Sequence, residues 1–404
     1  MVLIKGLRPN YLFEQNFYKK RFMLKTRYIC LFLLVLACQF SCQDDEDVLE
    51  PFIETDATSY IFARDGRSSV DNIQQTELAD MLTSLTAYAE SANEGVIVEA
   101  NIFRAGFENT GNNGGGLFDF MSSIQLENNL STVDLEDDFF GDFFEQAAIA
   151  SKAGNDAANG VPGFITREST GNTVILNNIG QDLGQFIEKG IMGSVFLHQM
   201  FNILLSENLV GDEVDNISLV PGENYTELEH NWDIAFGYFQ APGDFGSDWP
   251  VSRIEELNFW STYAEVVDPS LGISDRIMNA FRDGRNAIVE NDSLTRNESR
   301  AILVSELELL SAATCLHYIN RSIVNQEAGN TGDLIHSVSA AYMFARALNM
   351  NPGKLIPAAQ LHNLLNVDLG LGGNFWRMQE DGLLDAKSRL VEFYPSLEPV
   401  QDEL

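Results

Sequence analysis

The chain has 404 residues, 45% of them hydrophobic, and a formal net charge of −34 at pH 7. This length is enough for one large domain or two smaller ones, each with a substantial core. The excess of acidic residues excludes nucleic acid as a partner, because its recognition begins with the neutralisation of phosphates.

A basic stretch and then a short apolar run open the chain. Lysines and arginines at 19–27 precede the apolar residues 28–40. The run is shorter than the ~20 apolar residues that a membrane-spanning helix needs. A basic segment, a short apolar segment and small residues at a cut are typical of a secretory signal. The sequence therefore predicts that residues 1–41 are a signal peptide, with Met23 as the true start.

The expected cut lies before a cysteine, which resembles the bacterial lipobox and predicts a lipid anchor in a membrane. Cys38 follows Val-Leu-Ala, the strict form of the pattern, and Cys42 follows Phe-Ser, a looser form. We favour Cys42 because the acidic run 43–47 follows it and resembles an export signal to the cell surface. Residues 42–57 are then an acidic tether, and the expected location is the outer membrane, facing the exterior.

Removal of residues 1–41, which carry seven basic and one acidic residue, leaves a mature charge of −40. Cys315 is then the only cysteine besides Cys42, so an intramolecular disulfide framework and a cysteine metal cluster are excluded. Its apolar neighbours indicate a small buried hydrophobic residue.

Helical periodicity dominates the rest of the chain. Tyr60 to Val70 is expected to be partly extended, with a turn at Asp65-Gly66, and residues 154–172 a loop. A capping box at 295–298 is expected to open one helix. The predicted helices cover 75–92, 134–150, 181–205, 226–239, 259–266, 275–289, 295–321, 332–348, 357–365 and 381–392.

These elements predict an all-α helical bundle over residues 58–400, with a short extended N-terminal segment. The pattern His, Ala, aromatic, aromatic occurs at 230–238 and again at 336–344. It favours a duplication, with two packed bundles whose halves meet near 211–225.

The richest set of chemical groups is Glu229, His230 and Asp233 on one predicted helix. Spacings of three and four residues place them on one face. Such a face is a nucleus for a zinc, iron or calcium site, completed from another helix. The alternative is a half-buried histidine paired with Asp233 at a helix contact. His198 and His317 lie in apolar helices and are candidates to face the same interior, or else core residues.

Three arginines, Arg276, Arg282 and Arg285, fall in another predicted helix. Arginines are suited to hold a carboxylate or phosphate, and we expect Arg282 and Arg285 to bind such an anion. Structural salt bridges are the alternative. Trp232, Trp249 and Trp260 either line a pocket or pack in the core.

No zinc-protease, serine-hydrolase, phosphate-loop or EF-hand motif occurs. Five segments nevertheless resemble, in order, a family of uncharacterised lipoproteins of Bacteroides-type bacteria, over about residues 57–400. The segments are Tyr60 to Arg64, Lys189 to Gly193, Glu229 to Phe239, Ala280 to Ile288 and His317 to Asn320.

That family is distantly similar to the imelysin-like proteins, which are helical bundles named for a peptidase activity and linked to iron or haem uptake. Their mark is Gly-x-His-x-x-Glu. His230 comes closest, but Leu228 replaces the glycine and Asp233 the glutamate. The resemblance implies a ligand-binding or receptor-accessory role at an outer-membrane uptake receptor, with iron, zinc or haem as cofactor. A metal-dependent peptidase and a structural protein without a ligand site are the alternatives.

Overall fold

The structure is a computed structural model, and it describes residues 53–55 and 58–404. The expected signal peptide, the two candidate lipidation cysteines and most of the expected tether lie outside the described residues. The described part is an all-α helical bundle with two small β-sheets. Its α-helices are α1 (Ile73–Ser91), α2 (Ala100–Phe107), α3 (Thr132–Glu136), α4 (Phe139–Ala153), α5 (Leu183–Ile191), α6 (Glu207–Val210), α7 (Glu227–Phe239), α8 (Trp260–Leu271), α9 (Ile273–Val289), α10 (Ser293–Ala328), α11 (Thr331–Ala347), α12 (Ala358–Asn363) and α13 (Glu380–Phe393).

The two sheets are antiparallel and small. The first joins β1 (Ile53–Thr55), β2 (Phe62–Arg64) and β3 (Arg67–Ser68) in that order. Asp65 and Gly66 both have positive φ, as a two-residue hairpin turn between twisted strands requires, so the predicted turn is confirmed. The second sheet pairs β4 (Gly163–Thr166) with β5 (Thr173–Leu176). The prediction of a loop throughout 154–172 is therefore wrong.

The helix predicted to begin with the capping box at 295–298 begins instead at Ser293. Asp292 is its N-cap, and the Asp292 carboxylate accepts hydrogen bonds from the backbone of Leu294 and Thr295. A capping box does occur in the structure, at the start of α7, where Thr226 and Glu229 bond reciprocally. The helix also runs further than predicted, to Ala328.

The long helix α10 packs along both α11 and α9, and these are the most extensive helix contacts among the described residues. The chain after α5 continues as π-helix through Met192–Leu197 and Gln199–Leu204. A Cβ added to Gly193 in this segment would lie 2.9 Å from the Cβ of Ala347, so the glycine permits close contact with α11.

The described residues form one compact unit, and their buried hydrophobic side chains form one core. The structure shows no division near 211–225. The proposed duplication therefore stays a prediction from the sequence.

Within the described part of the chain, α10 is long and apolar enough to cross a membrane by length and composition alone. However, 67% of its most apolar stretch is buried inside the protein. Cys315 lies in this helix, fully buried and free, and its thiol contacts the carbonyl of Ala341. The prediction that Cys315 acts as a small core residue is confirmed.

Candidate functional site

The N-terminal segment 58–70, here called the strap, lies against α7 and α9. It includes the β2–β3 hairpin, and Tyr60, Phe62 and Arg64 alternate along the strap with more exposed residues and are all buried. The Tyr60 amide donates to the carbonyl of Gly243, at 2.7 Å, in the loop that follows α7. The strap thus joins the two helices and this loop.

A buried ionic cluster of Arg64, Glu229, Asp233 and Arg285 holds the strap in place. Arg285 is fully buried and donates to Glu229 and to Asp233, each at 3.0 Å. Arg64 from the strap binds the Glu229 carboxylate with both terminal nitrogens, at 2.8 and 3.0 Å. The two guanidinium groups and two carboxylates balance in charge, as a buried set must.

Two strap side chains complete the contacts of the ionic cluster. The Tyr60 hydroxyl donates to Asp233 Oδ1 at 2.6 Å, and Arg285 donates to the Ser69 hydroxyl at 3.2 Å. Glu229 also accepts from the backbone amide of Thr226, as the capping box requires. Burial acts to raise the pKa of Glu229, but Arg285 and Arg64 hold that pKa below its ordinary value.

Asp233 is the least satisfied member of the ionic cluster. Its Oδ1 accepts from Tyr60 and Arg285, whereas its Oδ2 is buried and has no hydrogen-bond partner among the described residues. Burial raises the pKa of Asp233 to about 6, although Arg285 and the Tyr60 hydroxyl oppose the rise. The carboxyl therefore titrates at mildly acidic pH.

This raised pKa predicts a pH-dependent difference between the wild type and Asp233→Asn. The folded protein keeps the Asp233 proton between about pH 4 and 6, where the unfolded chain has released it. The stabilisation from this proton is present at low pH and is lost as the pH rises through 6. The free energy of unfolding of the wild type, relative to the variant, is expected to fall by about 2 kcal/mol from pH 4 to 7.

Urea denaturation of both proteins across that pH range measures the difference. The matched control is Asp283→Asn, because Asp283 is an exposed acid on α9. A difference between wild type and Asp233→Asn that is flat with pH would contradict the prediction.

A cleft of about 310 Å³ lies beside the start of the strap. Its walls are Thr58 of the strap, the loop from Asp244 to Pro250, Arg253, and the side chains of Asp275 and Arg282 from α9. We call this space the cleft. Trp249 is buried in its wall, and Trp232 and Trp260 are core residues that donate to backbone carbonyls.

The two arginines of the cleft differ in how their charge is balanced. Arg253 forms salt bridges with Asp244 and Glu256 and stacks on the Trp249 ring, at 4.1 Å from its centroid. Arg282 is nine-tenths buried and donates to the Thr58 carbonyl and to the Asn279 side chain, both neutral. Among the described residues, no carboxylate lies within ion-pair distance of Arg282.

The two arginines that the sequence predicted to bind an anion lie in different surroundings. Arg282 lines a space that a ligand can enter. Arg285 is enclosed and bound by two carboxylates, which is the structural salt-bridge alternative that the sequence left open for these arginines. Arg276 forms a salt bridge with Glu306.

The metal prediction rested on Glu229, His230 and Asp233. The carboxylates of Glu229 and Asp233 do lie close together, but both bind the guanidinium of Arg285. The His230 ring is half-buried and stacks on Tyr225, with ring centroids 4.4 Å apart. In the part of the chain that the structure describes, its Nδ1 has no hydrogen-bond partner, and burial lowers the pKa of His230.

The other two histidines of that prediction have their own surroundings. His198 Nδ1 contacts the Asn202 amide at 3.2 Å, and burial lowers the pKa of His198. His317 lies edge-on to the ring of Tyr318. Over residues 53–55 and 58–404, no group of three or more His, Cys, Asp and Glu is placed to hold a metal ion. The sequence-predicted metal residues therefore lack a ligand set in the described structure.

Three residues of the ionic cluster's surroundings were not predicted from the sequence: Tyr60 and Arg64, which donate to the carboxylates of Asp233 and Glu229, and Ser69, which accepts from Arg285. A signal was present, since Tyr60, Phe62 and Arg64 share one face of an extended segment. The acidic partner of His336 was not predicted either. Asp182 bonds the Nδ1 of His336 at 2.8 Å but lies 154 positions away in the sequence.

One family model matches residues 57–354, and its description is "Domain of unknown function (DUF4856)". The match begins at the strap and includes both the ionic cluster and the cleft. Neither a curated protein nor a solved structure matches the chain.

Proposed function

The chain belongs to the DUF4856 family, and we propose that it is a lipid-anchored binding protein of the cell envelope. Its cleft takes a small polar ligand through an anionic group held by Arg282. One observation carries the binding role. A guanidinium that is nine-tenths buried lines an open space and has only neutral partners among the described residues.

The physical basis is the strength of a charge-assisted hydrogen bond in a partly dry site. An arginine gives planar donors that match carboxylate and phosphate oxygens. Since Arg282 is fixed by the Thr58 carbonyl and the Asn279 side chain, a ligand pays little to order it. The space of about 310 Å³ is of the size that small-molecule sites have.

Replacement of the arginine tests the binding role. Caproate, a simple carboxylate, is the probe, and calorimetric titration at low salt is the measurement. Arg282→Gln is expected to weaken caproate binding about 10-fold or more, since a hydrogen bond to a charged group contributes ~1.5–3 kcal/mol. Arg67→Gln is the matched control, because Arg67 is an exposed arginine of the strap. Equal binding by the wild type and Arg282→Gln would reject the cleft as the site.

The envelope location is proposed from the sequence. Support comes from the basic and apolar segments before Cys42 and from the acidic run 43–47 after it. Lipid attachment at this position would place the strap 16 residues from the membrane. Several acyl chains are needed for firm anchoring, because a single chain holds only reversibly.

Cys42→Ala is expected to abolish anchoring and release the protein from the membrane fraction, whereas Cys38→Ala leaves it anchored. Fractionation of expressing cells and mass spectrometry of the mature N-terminus measure both outcomes. Release by Cys38→Ala alone would move the anchor to Cys38. Protease treatment of intact cells tests the outward-facing orientation.

An iron or haem cargo, with docking on an outer-membrane uptake receptor, is the finer form of this proposal. It rests on the resemblance to Bacteroides-type lipoproteins and imelysin-like proteins. Among the described residues that line the cleft there is no His, Cys, Met or Tyr, the usual haem ligands. Titration with iron, zinc and haem, each with His230→Ala as the comparison, tests this form separately from the caproate experiment.

A further inference from the structure

The cleft has two ends of opposite charge. Arg282, near the strap, supplies the positive end. Asp275, seven residues before Arg282 on α9, supplies the negative end: its Oδ1 accepts from the backbone amide of Ser247 at 2.9 Å, and this bond brings the next residue, Asp248, to the same end. No basic side chain among the described residues lies within ion-pair distance of either acid.

The negative end continues into neighbouring side chains. Glu265 of α8 is half-buried, and its pKa is raised to about 7 by burial and by the charges of Asp268 and Asp248. Burial is the larger cause of this rise, and the neighbouring carboxylates of Asp268 and Asp248 add to it as an excess of negative charge. A cation at this end would relieve that excess.

Helix geometry sets the distance between the ends. Asp275 and Arg282 are seven residues apart on α9, so they lie on one face, about 10 Å apart along the axis at 1.5 Å per residue. Both side chains face the cleft. A small ligand with charged groups at its two ends can therefore contact both ends of the cleft.

The charge of the whole chain favours a ligand without net charge. With a formal net charge of −34, the protein repels a simple anion on approach. A ligand that carries a cation and an anion avoids this repulsion and still presents an anionic group to Arg282.

We propose that the cleft binds a small zwitterion, with its anionic group on Arg282 and its ammonium group at Asp275 and Asp248. An ω-amino acid or a short peptide with free ends has this chemistry. The inference rests on the proposed binding role of Arg282 and adds the class of ligand.

Three probes of equal length separate the contributions: aminocaproate carries both charges, caproate only the anion and hexylamine only the cation. Calorimetric titration of the full chain is expected to give aminocaproate about 10-fold tighter binding than either of the others. Asp275→Asn is expected to remove most of this advantage while caproate binding stays. The asparagine Oδ1 can still accept from Ser247, so the loop keeps its bond. Asp248→Asn is a second variant, at an exposed position, and Asp283→Asn is the control on the same helix.

The outcomes distinguish the two proposals. If aminocaproate and caproate bind equally and Asp275→Asn and Asp248→Asn change nothing, the zwitterion is rejected while Arg282 remains an anion site. If none of the three probes binds the wild type, both proposals fail. Preference for hexylamine over aminocaproate would also overturn the zwitterion, since the anionic group would then contribute nothing.

Discussion

Replacement of Arg285 by alanine is expected to lower the free energy of unfolding at pH 7 by about 3–5 kcal/mol, as breaking a buried ion pair does. Arg285 is fully buried and neutralises Glu229 and Asp233, each at 3.0 Å. The variant leaves two buried carboxylates with one guanidinium, that of Arg64. The cost is large because an uncompensated charge stays in a medium of low dielectric constant.

Urea denaturation at pH 7 and at pH 5 measures this effect. The loss is expected to be smaller at pH 5, because Asp233, with a pKa raised to about 6, is then mostly protonated. Arg285→Lys is expected to fall between the wild type and alanine, since lysine keeps the charge but not the planar donors. Arg67→Ala is the control, and a loss below about 1 kcal/mol for Arg285→Ala would contradict the ion-pair account.

The ionic cluster also shows why this part of the site was not predictable from the sequence. The sequence places Glu229 and Asp233 on one helical face through their spacing, and the structure agrees. Their partners Arg64 and Tyr60 lie 165 and 173 positions away. No local period encodes such contacts, because they depend on how the strap packs across α7 and α9.

Arg282 and Arg285 illustrate a second limit. They lie three residues apart on one helix, and nothing in the sequence around them distinguishes their roles. Packing decides between them, since one lies under the strap beside two carboxylates and the other borders the cleft. Most of the helices were predictable from their apolar periods, but the short helices α2 and α6 were not predicted, and the β4–β5 hairpin was hidden in a Gly- and Asn-rich stretch.

Replacement of Gly284 by alanine is expected to destabilise the protein by about 2–3 kcal/mol, through overpacking against Trp232. A Cβ at Gly284 would lie 2.0 Å from Trp232 Cζ2 and 2.4 Å from its Cη2. The ring cannot easily move away, since it is fully buried and its Nε1 donates to the Phe281 carbonyl at 2.9 Å. The loss exceeds the gain of ~1 kcal/mol that alanine brings to a helix interior.

Gly184→Ala is the matched control, because a Cβ there meets only an ordinary contact, 3.4 Å from the Asp182 carboxylate. Trp232→Phe removes the clashing atoms, so in the background of this variant Gly284→Ala is expected to cost ~1 kcal/mol less than in the wild type. Thermal and urea denaturation of the four proteins of this cycle measure the coupling.

If Gly284→Ala lowers the free energy of unfolding equally in both backgrounds, the glycine is not there to make room for the Trp232 ring between α7 and α9. A smaller cost beside phenylalanine would establish that these two positions fix how closely the helix of Asp233 approaches the helix of Arg285. The separation of α7 from α9 is also what the ionic cluster needs, because its salt bridges between the two helices are all 3.0 Å long.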